Sequence, residues 1–125
     1  MIRLALALLL ALGCRTATPP DPVLVTTDFA QAERVALGLL PEGKAAIVIQ
    51  APMAYFWGRT FSTDGRLFWI TIDTSATPEH QVEILIHEVA HVLSWHAGSH
   101  AESSHGPMWG VAYAEVYRAV KGGLR

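Results

Sequence analysis

The stretch TPEHQVEILIHEVAHVLSW at residues 77–95 decides the fold, because it predicts one long helix that is apolar on nearly every side. Thr77 is a favourable N-cap residue, Pro78 suits the first turn, and Glu79 places an acid at the positive end of the helix. The apolar residues of this helix are Ile84, Leu85, Ile86, Val89, Ala90, Val92 and Leu93. A helix with so much apolar surface is expected to be buried, with the rest of the chain packed around it.

Two further helices are predicted, one on each side of this central helix. Asp28 and Gln31 form a capping-box pattern, and apolar residues then recur at helical spacing, which predicts a helix over residues 29–40. The central helix itself is predicted over residues 78–95. After a polar loop, the pattern predicts a last helix over residues 107–122, opened by a proline and closed by two glycines.

Three strands are predicted between the first and the central helix. The β-branched run AAIVIQ at residues 45–50 predicts one strand. Residues 55–61 and 67–73 flank the turn signal Asp64-Gly65 and predict a β-hairpin. Gly58 within the first arm weakens that strand or marks a bulge. The order of helix, three strands, helix and helix indicates an α+β fold.

Composition and charge are those of one globular domain. The chain has 125 residues, 51% of them hydrophobic, and a formal net charge of -2. It contains no cluster of basic residues, so nucleic acid is not an expected partner. Cys14 is the single cysteine, which excludes an internal disulfide and a cysteine-based zinc ribbon. In so small a core the tryptophans are expected to be buried: Trp57, Trp69, Trp95 and Trp109.

The N-terminus is typical of an export signal. The Leu/Ala run from Leu4 to Leu12 is too short to cross a bilayer, which needs about 20 residues, but it suits the apolar core of a signal peptide. The run ends at Leu12-Gly13-Cys14, which resembles the bacterial lipobox, whose cysteine carries a lipid. We therefore expect a signal peptide at 1–14, a Thr/Pro-rich linker at 15–22 and a folded domain at 23–125. A plain secretory signal and a cytosolic helix are the alternatives.

The central helix carries the motif His87-Glu88-Val89-Ala90-His91. Histidines four positions apart lie on one face of a helix, so both imidazoles can bind one metal ion. Glu88 lies beside that ion without facing it, which suits a general base that deprotonates a water molecule. The burial expected of this helix also favours a metal, because buried histidines and carboxylates need partners.

A catalytic zinc site needs a third protein ligand, and the sequence offers several. His96 is five positions beyond His91 and points off the ligand face. His100 and Glu102 lie in the loop and stay possible. His105 precedes the proline that opens the last helix, so a rigid turn can aim its side chain at the motif. Downstream, Glu115 is a further candidate.

The spacing of these residues is similar to that of a known family. His87-Glu88-x-x-His91, followed after thirteen residues by His105-Gly106-Pro107-Met108-Trp109, resembles the SprT-like zinc metallopeptidases, in the layout of their short stand-alone bacterial and phage members. The resemblance covers residues 45–118 in layout and 86–118 in motif. It implies a minimal zincin-like domain, Zn²⁺ as cofactor, His87, His91 and His105 as ligands, and Glu88 as catalytic base.

The resemblance predicts a zinc-dependent hydrolase that cleaves peptide bonds. The edge strand at residues 55–61 would hold the substrate extended. Members that act on DNA–protein crosslinks carry DNA-binding elements, which are not seen here, so we do not transfer that substrate class. Two alternatives stay open, a catalytically silent zinc-binding module and a zinc amidase acting on cell-wall material. The expected location is the bacterial envelope, with membrane contact only through a lipid on Cys14. The identity of the metal also stays open, because three histidines do not select zinc over other divalent metals.

Overall fold

The computed structural model describes residues 28–96 and 105–122, which form the α+β fold that the sequence predicts. Its elements are α1 (Phe29–Leu37), β1 (Ala45–Ala51), β2 (Gly58–Phe61), β3 (Leu67–Asp73), α2 (Pro78–Ser94) and α3 (Pro107–Tyr117). A π-helical turn, Arg118–Gly122, continues α3. Within the two described stretches, no helix is both long and apolar enough to cross a membrane. The predicted signal peptide at 1–14 and linker at 15–22 lie outside these stretches.

The sheet has three strands in the order β1-β3-β2. β3 lies in the centre, parallel to β1 and antiparallel to β2. The predicted hairpin is confirmed, and its turn is held by Asp64, whose carboxylate accepts hydrogen bonds from the backbone N–H groups of Arg66 (2.8 Å) and Leu67 (3.0 Å). Gly65 supplies the positive φ of 71° that the turn requires. Because β2 lies at one end of the strand order, it is an edge strand, paired on one side only.

The core forms where one face of the sheet meets α2. Alternate residues of β3 point into it, and Phe68, Ile70 and Ile72 are fully buried. They form one cluster with the apolar residues of α2 and the small residues of α1: Val82, Leu85, Ile86, Val89, Val92, Ala32 and Ala36. Burying a side chain of this size contributes about 1.5–3 kcal/mol. α2 is thus the element around which the fold is built, as its sequence predicts.

Both ends of α2 are capped by side chains from outside the helix. At the start, the Thr77 hydroxyl accepts a hydrogen bond of 3.3 Å from the backbone N–H of His80. At the end, the Lys44 ammonium donates to the carbonyl oxygens of Val92 (2.7 Å) and Trp95 (3.2 Å). A cation suits the negative end of a helix, and its partial burial lowers the pKa of Lys44. These caps fix the axial position of α2 against the sheet.

Several element boundaries differ from those predicted. β1 extends to Ala51, α2 ends at Ser94, and α3 ends at Tyr117, where the π-helical turn begins. α1 ends at Leu37, not at residue 40, because Gly38 terminates it and caps its last turn. β2 begins at Gly58, not at residue 55. The carbonyl of Trp57 still accepts a hydrogen bond from the N–H of Asp73 (2.8 Å). Asp73 is the last residue of β3, so the residues before Trp57 have no partner strand to pair with.

The sequence suggested that Gly58 weakens the strand or marks a bulge, and the regular register of β2 excludes the bulge. Gly58 pairs in register with Ile72, and its missing side chain allows β2 to pass close to α2. A Cβ atom built on Gly58 would collide with Ile84 and would lie 2.8 Å from the Glu88 carboxylate. Gly58 is therefore required by the close approach of strand and helix.

We expect Gly58→Ala to destabilise the fold by about 1–3 kcal/mol, because the added methyl group must push β2 away from α2. The measurement is the free energy of unfolding from urea denaturation of the purified protein. Gly110→Ala is the matched control, because a Cβ atom at Gly110 in α3 would meet nothing within 4 Å. That control should be neutral or stabilising by up to about 1 kcal/mol. Equal effects of the two substitutions would contradict the close approach.

Candidate metal centre

Three histidines meet at one point, two from α2 and one from the residue before the N-cap of α3. α2 presents His87 and His91 on one face, one turn apart, and His105 precedes Gly106, the N-cap of α3. The Nε2 atom of His87 lies 3.2 Å from Nε2 of His91 and 3.1 Å from Nε2 of His105. The possible ligand atoms of the three residues all lie within 4.8 Å of one another. The structure thus brings together His87, His91 and His105, the three histidines that the resemblance to the SprT-like family implied.

The spacing of these nitrogens fits a tetrahedral metal ion. Nitrogens bound to zinc at about 2.0–2.1 Å in tetrahedral geometry lie about 3.3–3.4 Å apart. The two short Nε2 distances in this cluster, 3.1 and 3.2 Å, are close to that value. A single cation satisfies three converging imidazole nitrogens at once, and His87, His91 and His105 are therefore suited to hold Zn²⁺ or a similar divalent ion.

The three imidazoles differ in burial, and this shapes their chemistry. His91 is buried, His87 is partly buried and His105 is exposed. Burial lowers the pKa of His91 to about 4, helped by the neighbouring His87 and His105. The pKa of His87 is also lowered, first by burial and then by His105. Both groups are thus neutral near pH 7, which is the state in which imidazole binds a metal.

Trp109 forms a wall of the centre. Its ring centroid lies 4.8 Å from those of His87 and His105 and 5.7 Å from that of His91. Its indole N–H donates to the backbone carbonyl of His87 at 3.4 Å. We expected Trp109 to be a core residue, but it is only partly buried and packs on the three histidines instead. The sequence signal for this role was the position of Trp109 in the motif His105–Trp109, four residues after the histidine.

Glu88 lies beside the histidine cluster and is held by a residue of the sheet. Its side chain is buried, and Oε2 accepts a hydrogen bond of 2.6 Å from the hydroxyl of Thr60 in β2. The same hydroxyl lies 3.2 Å from the Glu88 backbone carbonyl. A bond this short to a carboxylate is strong, and it fixes the rotamer of Glu88. No feature of the sequence singled out Thr60, because its role depends on the approach of β2 to α2.

Two of the other ligand candidates, His96 and Glu115, are not part of the cluster. His96 is exposed, with Nδ1 3.1 Å from the Ser94 carbonyl, and Glu115 is an exposed residue of α3. Neither belongs to the group of side chains that could hold a metal. His100 and Glu102 lie outside the described residues. Among the residues that the structure describes, His105 is therefore the third ligand candidate.

Two clefts meet at Glu88 and His87. The smaller has a volume of about 180 Å³ and contains all three histidines, bordered by Phe56, Arg59 and Thr60. The larger, of about 400 Å³, extends from the same point along the first turns of α2. The histidine cluster thus opens to solvent through His105 and both clefts.

Comparisons of this chain with protein-family models, curated proteins and solved structures found no match.

We expect the purified protein to bind one zinc ion per chain, and His105→Ala to weaken that binding by at least about tenfold, because one of three ligands is lost. The measurement is competition with a chromogenic chelator, together with metal content after dialysis. His96→Ala is the matched control, since it removes a histidine outside the cluster. Equal zinc affinity in the parent and in His105→Ala would contradict the three-histidine centre.

Acidification should destabilise the metal-free protein between about pH 6.5 and pH 4. The unfolded chain binds protons on His87 and His91 near the ordinary value of 6.5, whereas the folded chain binds them only at lower pH. Because the unfolded state then holds more protons, the free energy of unfolding rises with pH through this window. Urea denaturation in chelator at several pH values measures it. In His91→Gln the free energy of unfolding should depend less steeply on pH. An equal slope in the variant and the parent would show that His91 does not contribute to the pH dependence.

Proposed function

We propose that this chain is a zinc-dependent peptidase with a minimal zincin-like fold of the SprT-like type. The observation that carries the proposal is the placement of Glu88 beside three converging histidines, at the junction of two clefts. Three histidines with a neighbouring carboxylate are the residues that hydrolytic zinc sites use. The resemblance of His87–His91 and His105–Trp109 to the SprT-like signature supports the same assignment.

In this proposal, His87, His91 and His105 hold the metal, which when bound supplies an activated water and polarises the peptide carbonyl. Glu88 is the general base. Its carboxylate takes a proton from the attacking water and later passes that proton to the leaving amine, so that the C–N bond breaks. The Thr60 hydroxyl, 2.6 Å from Oε2, orients the carboxylate throughout.

The openness of the centre favours catalysis over a purely structural metal. Structural zinc sites have four protein ligands and are closed, whereas catalytic sites keep one position for water or substrate. Here the cluster has three histidines among the described residues, one of them exposed, and a cleft leads to it. Glu88 is a buried carboxylate that lies next to the three histidines and lines both clefts. A structural metal site does not require such a group.

A peptide suits the surface next to the centre. β2 is an edge strand whose first residue, Gly58, lines both clefts, so an extended chain can add to the sheet beside the histidine cluster. An envelope location and a lipid on Cys14 stay predictions from the N-terminal sequence. If they hold, the substrates are proteins of the envelope or the exterior.

Glu88→Gln should bind zinc as tightly as the parent and lose hydrolysis by at least about a hundredfold, because the amide cannot accept the proton of the attacking water. The measurement is cleavage of an unfolded, fluorescently labelled protein by the zinc-loaded variant, with zinc content determined in parallel. A zinc-loaded Gln variant with parental activity would remove Glu88 from the mechanism.

Purified cell wall is the second substrate to test, because a zinc amidase uses the same groups. Release of wall fragments without cleavage of the unfolded protein would replace the peptidase proposal with the amidase. Absence of both activities in zinc-loaded parent protein would favour a catalytically silent zinc-binding module.

A further inference from the structure

The larger cleft beside the metal centre has walls of aromatic side chains. Three consecutive residues form one wall and are strongly exposed: Tyr55 (91%), Phe56 (55%) and Trp57 (58%). Ile84 of α2 and Tyr113 of α3 also line it. Trp57 was expected in the core, but it lies on the surface because β2 ends its pairing there. Contiguous exposed apolar surface of this kind marks a binding site.

The aromatic wall is anchored to the sheet. The carbonyl of Trp57 accepts a hydrogen bond of 2.8 Å from the N–H of Asp73 at the end of β3. The carboxylate of Asp73 also accepts from the N–H of Met53 at 3.2 Å, so the segment is held on both sides of Tyr55. Trp57 packs on His80 of α2, with ring centroids 4.9 Å apart. The cleft is therefore preformed, which reduces the entropy lost on binding.

The opposite wall is equally well supported. Tyr113 packs between two other aromatic residues of α3, with ring centroids 5.1 Å from Trp109 and 6.1 Å from Tyr117. Burial raises the pKa of its hydroxyl, and the nearby Glu83 raises it further. Through Trp109, this wall continues directly to the metal ligands.

The charges around the cleft disfavour an acidic ligand. Two carboxylates line it, Glu83 at the rim and Glu88 at the inner end, and none of the residues described as lining it is Lys or Arg. An aromatic surface binds apolar side chains through burial and ring packing. The volume of about 400 Å³ is enough for one large side chain with its adjoining backbone.

The cleft also has a direction relative to the centre. Its residues on α2 are His80, Glu83 and Ile84, which precede His87 toward the start of the helix. The smaller cleft instead extends toward His91 and His105. The two clefts therefore diverge from Glu88, and a peptide lying through both would place the aromatic cleft on one side of the bond to be cut.

We propose that the cleft formed by Tyr55, Phe56, Trp57, Ile84 and Tyr113 is a specificity site for a large apolar side chain, aromatic above all, on one fixed side of the cleaved bond. This inference rests on the proposed peptidase function and adds its substrate class. Peptides and unfolded segments rich in Phe, Tyr, Leu or Met are the substrates, and segments with Asp or Glu at this position are rejected.

The test uses the zinc-loaded protein and end-blocked octapeptides of Gly, Ala and Ser that differ at one central residue, which is Phe, Ala, Lys or Asp. We expect kcat/KM for the Phe peptide to exceed that for the Ala peptide by at least about tenfold, the gain from burying one aromatic side chain. The Asp peptide should be the poorest substrate. Mass spectrometry should locate every cut on the same side of the central residue.

Variants connect the preference to the cleft. Trp57→Ala should reduce the Phe-to-Ala ratio of kcat/KM to within about threefold, because the main aromatic wall is lost. Ile47→Ala is the matched control. Ile47 is also strongly exposed, at 47%, but it lies on β1, at the other edge of the sheet. This control should keep the parental ratio.

Binding gives a readout that does not depend on turnover. Zinc-loaded Glu88→Gln is titrated with the same four peptides by isothermal calorimetry, and Kd for the Phe peptide should be lower than for the Ala peptide by a similar factor. Trp57→Ala in this background should abolish the difference.

The outcomes separate the two proposals. Cleavage of all four peptides at similar rates, or a preference for Lys or Asp, would overturn the specificity site and leave the peptidase standing. A Phe preference that survives Trp57→Ala would also overturn it. If neither the peptides nor the unfolded protein is cleaved, the peptidase proposal fails. The calorimetric titration then decides the inference, with equal or absent binding of the Phe and Ala peptides overturning it.

Discussion

The burial of α2 is the constraint on which the rest of the structure depends. The helix is apolar on nearly every side, so the sheet, α1 and α3 all pack against it. Yet its C-terminal half carries His87, Glu88 and His91 among the apolar residues, and Glu88 and His91 are buried. Polar groups in such a place must have partners. Thr60 of β2 donates to the Glu88 carboxylate, and His105 before α3 lies 3.1 Å from His87, so the packing that forms the core also assembles the histidine cluster.

The sheet contributes to the centre through one close contact. Gly58 lets β2 pass next to α2, and Thr60, two residues further on, reaches the Glu88 carboxylate. Both residues border the smaller cleft, which contains the histidines, and Gly58 also borders the larger one. Packing and chemistry thus depend on the same strand. A change that moves β2 would alter both stability and the orientation of Glu88.

In this small domain, aromatic residues form much of the surface around the histidine cluster and the larger cleft. Trp109 packs on all three histidines, and Tyr113 continues that surface away from them. On the other side, Trp57 and its neighbours form an exposed wall that the end of β3 holds in place. Rigid aromatic rings position ligands and offer binding surface at little entropic cost. The result is a centre with a preformed cleft on a scaffold of three strands and three helices.

The sequence by itself determined the secondary structure order, the hairpin with its Asp64-Gly65 turn, and the placement of His87, Glu88 and His91 on a buried helix. These features follow from local periodicity, caps and turn residues, which act over a few positions. It left His105 as one of several ligand candidates until the family resemblance selected it. Only the tertiary structure decided that His105 meets α2, that Thr60 holds Glu88, that β1 lies parallel to β3 and that Trp57 is exposed. Those contacts join residues far apart in the chain, and no local pattern encodes the distance between them.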